Sequence, residues 1–209
     1  MFGHVIGDAV TLFVIIDPIG LVPLFLAMTK QETSQNRSRI ILRGVIISGI
    51  ILLSFIVLGQ FLLDELGISL PAFMIAGGII LLIIGLKMVL EDEPEKQLMT
   101  TQPSPDEAAT HDVAVFPLAM PFIAGPGAIM AVVLLTDNDK FTVSEQIVTA
   151  GVLLGILVLT YLILLTSEWM QQILGNTGVN VVTRVMGLIV ASLAVETLLE
   201  GINHFFLGK

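Results

Sequence analysis

The sequence contains no cysteine, only three histidines and few charged residues. The absence of cysteine excludes disulfide bonds, thiol nucleophiles and cysteine-ligated iron–sulfur clusters. His4, His111 and His204 lie near the chain ends or in a polar connection, so we expect no buried haem or metal site. Nucleophile-elbow and clustered-histidine motifs are also missing, and the sequence therefore predicts no enzyme activity, no catalytic residues and no cofactor.

The low charge content places the chain among membrane proteins. Charged residues make up 13% of the 209 residues and hydrophobic residues 55%, whereas soluble domains carry roughly 25% charged residues. The mean hydropathy is +0.97. The formal charge of −9 must then lie in connections between apolar segments, so it does not indicate a nucleic-acid partner. The expected surroundings are membrane lipid.

Six apolar runs are long enough to cross a bilayer, which takes about 20 residues in a helix. We therefore predict an all-α membrane protein. Proline and glycine interrupt the first and fourth runs, and the other four are smooth. The predicted spans are Val5–Met28, Ile40–Leu63, Leu70–Leu90, Val113–Thr136, Ile147–Thr166 and Val181–Leu207.

The distribution of lysine and arginine predicts the orientation, because these residues are enriched in cytoplasmic connections. Six spans with a cytoplasmic first connection place both termini in the periplasm. Seven basic residues then lie on the cytoplasmic side and two outside. The cytoplasmic set is Lys30, Arg37, Arg39, Arg43, Lys87, Lys96 and Arg184, and the outer set is Lys140 and Lys209.

The segment 91–112 is acidic and rich in proline, with too few apolar residues to form a core. It is predicted to be a cytoplasmic linker that divides one membrane domain into residues 1–90 and 113–209. Each part would hold three spans.

The two parts resemble one another weakly in sequence. A shift of 108 positions places Pro18 on Pro126 and Leu66-Gly67 on Leu174-Gly175, and Gly78 falls within one residue of Gly187. Because each part has an odd number of spans, the second would be inserted in the opposite orientation. The prediction is an inverted three-helix repeat with broken helices 1 and 4, an arrangement in which substrate sites lie near the membrane midplane.

The two interruptions are the candidate binding site. At 1.5 Å per residue, Asp17 lies about 18 Å into the first span, near the centre of the bilayer. Asp-Pro is a helix-start signal, and Gly125-Pro126-Gly127 in the fourth span has the same character. Two helix N-termini that meet at the midplane would suit an anion such as the carboxylate of an amino acid.

Polar residues in the spans leave alternatives open. Asp17 is either a helix cap or a ligand for a substrate ammonium, a cation or a proton, since ionisable groups at mid-membrane are usually functional. Glu196, deep in the last span, is a second candidate for ion coupling. Lys87 and Arg184 lie near cytoplasmic span ends, where their side chains can extend to the membrane surface.

The two interruptions also resemble the signatures of a known family. Asp17-Pro18-x-Gly20-x-x-Pro23 and Pro117-x-x-x-Pro121-x-x-x-Gly125-Pro126 are similar to the paired motifs of the MarC family, and the similarity covers essentially the whole chain. It implies a bacterial or archaeal inner-membrane protein that transports small neutral amino acids such as glycine and alanine, coupled to Na⁺ or H⁺. The implied substrate-binding residues are Asp17, Pro18, Gly20, Pro23, Pro121, Gly125, Pro126 and Gly127.

The sequence therefore favours a secondary transporter of small neutral amino acids that works by alternating access. The alternatives are an exporter of another small metabolite, and a membrane scaffold or stress-related protein that transports nothing.

Overall fold

The structure is a computed structural model that describes residues 2–30, 32–90 and 112–207. The predicted linker 91–112 thus lies outside the described residues except for Asp112, as do Lys96 and Lys209. The described residues form helices and no strands, in agreement with the predicted all-α fold. The helices are α1 Phe2–Ile16, α2 Leu21–Met28, α3 Ser34–Glu65, α4 Leu70–Leu90, α5 Ala114–Ile123, α6 Pro126–Leu135, α7 Val143–Leu165 and α8 Ser167–Leu207.

Among the described residues, five helical segments are long and apolar enough to cross a membrane, and a bent pair gives a sixth if it is counted as one span. The helices α1 and α2 together form the first span, Val5–Met28, while α5 and α6 form the bent pair, with 53° between their axes. The last span is Thr177–Phe206, because α8 is interrupted at Gly175, where φ is +61°.

Contacts between helix ends define two faces of the bundle. Arg43, in the first third of α3, forms an ion pair of 2.7 Å with Asp112 before α5, and α4 ends at Leu90. We call this the linker face. At the opposite face, the far face, the Gln60 Nε2 atom donates a hydrogen bond of 3.0 Å to Asp137, which follows α6.

Arg37 fixes the end of α2 on the linker face. Its guanidinium donates two hydrogen bonds, of 3.0 and 2.8 Å, to the carbonyl oxygen of Thr29. It also forms an ion pair with Glu168 at the start of α8. A cation at a helix C-terminus is favourable because the last carbonyl groups carry partial negative charge, so Arg37 connects the ends of three helices.

The helices α4 and α8 pack antiparallel along their lengths. Gly85 and Gly187 lie opposite each other: a Cβ atom on Gly85 would lie 2.8 Å from the Gly187 carbonyl oxygen, and one on Gly187 would lie 2.9 Å from that of Gly85. Small residues allow backbones to approach closely in membranes. By contrast, Gly151 and Gly155 on α7 have open space beside them.

The half of α1 nearer the far face is connected to α7 by a buried polar pair. The Thr149 hydroxyl donates a hydrogen bond of 2.6 Å to the Asp8 carboxylate, and both residues are buried. The apolar core continues from this pair along the centre of the bundle, through Leu12, Ile16 and Leu153. Many of the other large apolar residues are exposed, as expected of a surface that faces lipid.

Candidate functional site

The first interruption depends on Asp17, which ends one helix and begins the next turn. Its amide donates a hydrogen bond of 2.9 Å to the Phe13 carbonyl oxygen, and its own carbonyl accepts one of 3.1 Å from Leu21. Its φ is +46°, the left-handed conformation that often ends helices and that aspartate and asparagine tolerate better than most residues. The Asp17 Oδ1 atom accepts a hydrogen bond of 3.1 Å from the amide of Gly20, so the capping predicted from the sequence is present.

Gly20 is required by the position of this carboxylate. A Cβ atom at residue 20 would lie 1.9 Å from the Asp17 Oδ2 atom and 3.0 Å from the terminal methyl carbon of Met88. Any side chain at residue 20 would therefore displace the carboxylate. The glycine of the motif Asp-Pro-x-Gly is thus needed for steric reasons, and its amide also donates the hydrogen bond to Asp17.

The second interruption is longer than the sequence predicts. Phe116 and Met120, each followed by proline, are extended, with φ/ψ of −130°/124° and −127°/121°. A residue before proline is driven away from the helical conformation, and proline itself lacks a donor. The whole of α5 is irregular as a result, and its hydrogen bonds include two that span five residues, such as that of 2.8 Å from the Ala124 amide to Ala119.

Regular helix resumes at α6, with Gly125 as N-cap and Pro126 at the first position. This agrees with the predicted half-helix start. The next two amides are those of Gly127 and Ala128, which are too early in the helix to have a partner within it. No side chain caps this end among the described residues. The N-terminus of α6 therefore presents uncompensated donors, whereas that of α2 already holds the Asp17 carboxylate.

Both interruptions line one cavity of about 310 Å³. Its volume corresponds to about ten water molecules at roughly 30 Å³ each, enough for a small metabolite and some water. The cavity extends from the interruptions toward the linker face alongside α4 and α8, and apolar residues of α4 form one wall. It is lined by Asp17, Gly20, Pro23, Pro121, Gly125, Pro126 and Gly127, all of which the family resemblance implies to be substrate-binding residues.

Two predicted site residues do not line the cavity. Pro18 is buried beside it and shapes the turn. Glu196 has an exposed side chain in the half of α8 nearer the far face. Within the described part of the chain, no group of three or more acidic or histidine residues could hold a metal ion.

Four polar residues of the cavity were missed as a group. Asn180, Thr183 and Arg184 of α8 and Lys87 of α4 all line it. The sequence placed Arg184 and Lys87 at the membrane surface as isolated cations. The spacing of residues 180, 183 and 184 puts them on one face of a helix, and this pattern is visible in the sequence. The packing of α8 alone decides that this face borders a cavity.

Comparisons with known proteins agree with this architecture. The model of the family described as "MarC family integral membrane protein" matches residues 2–206. No solved structure matches the chain.

Similar proteins occur in archaea and bacteria. The UPF0056 membrane protein MJ1677 of Methanocaldococcus jannaschii is 37% identical over 195 residues, which cover 92% of this chain and 93% of that protein. YvbG of Bacillus subtilis is 32% identical, with coverage of 99% and 97%. YhcE of Escherichia coli is also 32% identical, with coverage of 94% and 91%. Both bacterial relatives carry the same description, UPF0056 membrane protein.

Proposed function

The chain belongs to the MarC family of integral membrane proteins, and from this premise we propose that it is an ion-coupled secondary transporter of small neutral amino acids. The observation that carries the proposal is the meeting of two broken helices at one cavity. Backbone that is not helical is tolerated at membrane depth only where it is buried in protein or lines a water-filled space. In transporters such breaks hold the substrate.

The two interruptions offer complementary groups for a zwitterion. The free amides of Gly127 and Ala128, at the positive end of α6, suit the carboxylate of an amino acid. The buried carboxylate of Asp17 suits its ammonium group. The apolar wall formed by Leu81, Ile84 and Met88 would contact a small uncharged side chain.

Asp17 is also the proposed position of ion coupling. Its Oδ1 atom is held by the Gly20 amide, which leaves lone pairs available for Na⁺ or a proton. Residues 116–127, which form the second interruption, contain no aspartate or glutamate, so the coupling site would be asymmetric. Glu196 stays a second candidate, to be tested separately because it does not line the cavity.

The ends of corresponding helices support the inverted repeat. The half-helices α2 and α6 are each followed by a buried threonine, Thr29 or Thr136, whose hydroxyl donates to the carbonyl four residues earlier. The next helices begin at threonine N-caps, Thr33 and Thr142. Gly67 and Gly175, which match in the sequence comparison, share positive φ values of +66° and +61°.

The helix contacts support it as well. The repeat matches α1 with α5, α2 with α6, α3 with α7 and α4 with α8. Exchange of the two halves therefore converts the pair α3–α5 into α7–α1, α4–α6 into α8–α2, and α3–α6 into α7–α2. All six pairs are in contact. The pairs α4–α8 and α3–α7 map onto themselves and are also in contact. These pairs follow the pattern expected of two halves related by a two-fold axis in the membrane plane, whereas α1–α6, α1–α8 and α7–α8 have no counterpart of similar extent.

The predicted orientation makes the linker face cytoplasmic, in a bacterial or archaeal inner membrane, with the linker 91–112 on that side and both termini in the periplasm. Because the cavity extends toward the linker face, this conformation is the one open to the cytoplasm. Movement of the halves against each other would close that side and open the far face, where Thr149 now holds Asp8.

Uptake of radiolabelled alanine or glycine into proteoliposomes, with and without imposed Na⁺ and proton gradients, tests the proposal. We expect saturable flux that one of the gradients drives. Flux of another metabolite instead would favour the exporter alternative. No flux of any neutral amino acid in either direction would favour a scaffold or stress-related protein.

The variant Asp17→Asn tests the coupling site with little disturbance of the backbone. Asparagine tolerates positive φ and its side-chain oxygen can still accept from Gly20. We expect alanine flux in this variant to become insensitive to the coupling-ion gradient. If its flux equals that of the parent at every pH and Na⁺ concentration, Asp17 is a cap alone; Glu196→Asn then tests the second candidate.

A further inference from the structure

The cavity contains cationic side chains that the proposed transport cycle does not yet use. Lys87 of α4 and Arg184 of α8 both line it, and both side chains are exposed. Lys87 is three residues before the end of α4 on the linker face. The two cations therefore lie at the end of the cavity nearest the linker face, which we call the mouth.

The packing of α4 against α8 places these cations at the same end of the cavity. Gly187 contacts Met88 and Val89: a Cβ atom at residue 187 would lie 2.6 Å from the Met88 Cβ atom. Arg184 precedes Gly187 by about one helical turn, and Lys87 precedes Met88 directly. Asn180 and Thr183, which are half-buried, add an amide and a hydroxyl group to the same side of the mouth.

The mouth lies at a different level of α4 from the N-terminus of α6. A Cβ atom on Gly127 would touch the side chain of Leu81, at 2.2 Å, so Leu81 marks the level of the α6 N-terminus. Lys87 is six residues further along α4, or roughly 9 Å at 1.5 Å per residue. A carboxylate bound at the mouth would move inward to reach the α6 amides.

The charges of the cavity favour contact of the substrate carboxylate with the mouth first and with the α6 amides second. Among the described residues that line the cavity, Lys87 and Arg184 are cationic and Asp17 is acidic, and the N-terminus of α6 adds a positive potential. A cleft with low-dielectric walls focuses this field and raises the local concentration of anionic groups. An amine without a carboxylate would be repelled at the mouth before it could reach Asp17.

We propose that Lys87 and Arg184, with Asn180 and Thr183, form an entry site that binds the substrate carboxylate on the linker face before it moves to the α6 amides. This inference rests on the proposed amino-acid transport. The two cations would then be specificity-determining residues that select substrates with a carboxylate. Their substitution would affect transport from the linker face only, because the site lies between that face and the N-terminus of α6.

Alanine uptake into inside-out and right-side-out membrane vesicles tests the entry site. We expect Lys87→Gln and Arg184→Gln to raise KM by about threefold to tenfold from the linker face only, with kcat and the KM from the far face unchanged. The difference in KM between parent and variants should shrink at high ionic strength, because salt screens the attraction between the parent's two cations and the substrate carboxylate. Ethylamine should compete more effectively with alanine in the variants than in the parent.

Matched variants separate this role from folding. Lys87→Arg and Arg184→Lys keep the charge and should keep the parent KM, while Arg39→Gln removes an exposed cation from the same face outside the cavity and should change nothing. Equal KM values in parent and Gln variants, or an increase from both faces alike, would overturn the entry site while leaving transport intact. Absence of alanine flux in the parent would instead overturn the proposed function itself.

Discussion

At the residue scale, Asp17 shows why a single side chain can fix the geometry of a broken helix. It ends α1 in a left-handed conformation and caps the following turn through Gly20. Few residue types can do both, because the conformation favours glycine, asparagine or aspartate and the cap needs a side-chain oxygen. The sequence predicts the cap from the Asp-Pro pair. It does not predict the positive φ, which depends on the way α1 and α2 are held by their neighbours.

Gly20→Ala should reduce transport strongly while the bundle still folds. The new methyl carbon would lie 1.9 Å from the Asp17 carboxylate and force it out of position, and misplacement by about 1 Å can cost on the order of a hundredfold in rate at a positioned site. We expect at least about a tenfold loss of alanine flux in proteoliposomes, with the protein still monodisperse in detergent.

Gly7→Ala is the matched control, since a Cβ atom at this α1 position has nothing within 4 Å. It should retain full flux and gain about 0.5–1 kcal/mol of stability from the better helix former. Equal flux in the two alanine variants would contradict the steric role of Gly20.

At the element scale, the two half-helices differ in what satisfies their N-termini. The end of α2 is occupied by Asp17, while α6 begins after a segment that Pro117 and Pro121 keep irregular. The prolines are visible in the sequence, and their effect on the preceding residues follows from local sterics. The length of the irregular segment does not, because it depends on how α3 packs against it: a Cβ atom on Gly44 would lie 2.7 Å from the side chain of Leu118.

The contact between α4 and α8 gives a prediction about stability. Gly187→Ala would place a methyl carbon 2.6 Å from the Met88 Cβ atom and 2.9 Å from the Gly85 carbonyl oxygen. Overpacking of this kind costs about 1–3 kcal/mol. We expect a lower midpoint of thermal unfolding for the detergent-solubilised protein.

Gly155→Ala provides the comparison, because that glycine faces open space on α7. Its unfolding midpoint should equal that of the parent. A large drop for Gly155→Ala instead would mean that the Gly151–Gly155 face packs against a partner, and no change for Gly187→Ala would contradict the close approach of α4 and α8.

At the scale of the whole molecule, the two faces and the direction in which the cavity extends decide how the protein could work. Because the chain has no cysteine, single-cysteine variants report accessibility without background substitutions. Asp139→Cys on the far face should react with a membrane-impermeant maleimide on intact bacterial cells. Gln35→Cys on the linker face should react only after the membrane is permeabilised. The reverse labelling would invert the orientation predicted from lysine and arginine.

The sequence by itself determined the membrane setting, the helical class and the two interruptions, because these follow from local composition and from the backbone chemistry of proline and glycine. The interruptions supply seven of the residues that line the cavity. Tertiary structure decided which helix faces meet. It brought Lys87, Arg184, Asn180 and Thr183 to the cavity and left Glu196 outside it. The physical reason is that lipid is as apolar as leucine, so helices in a membrane bury small and polar residues against one another without an amphipathic pattern that the sequence would reveal.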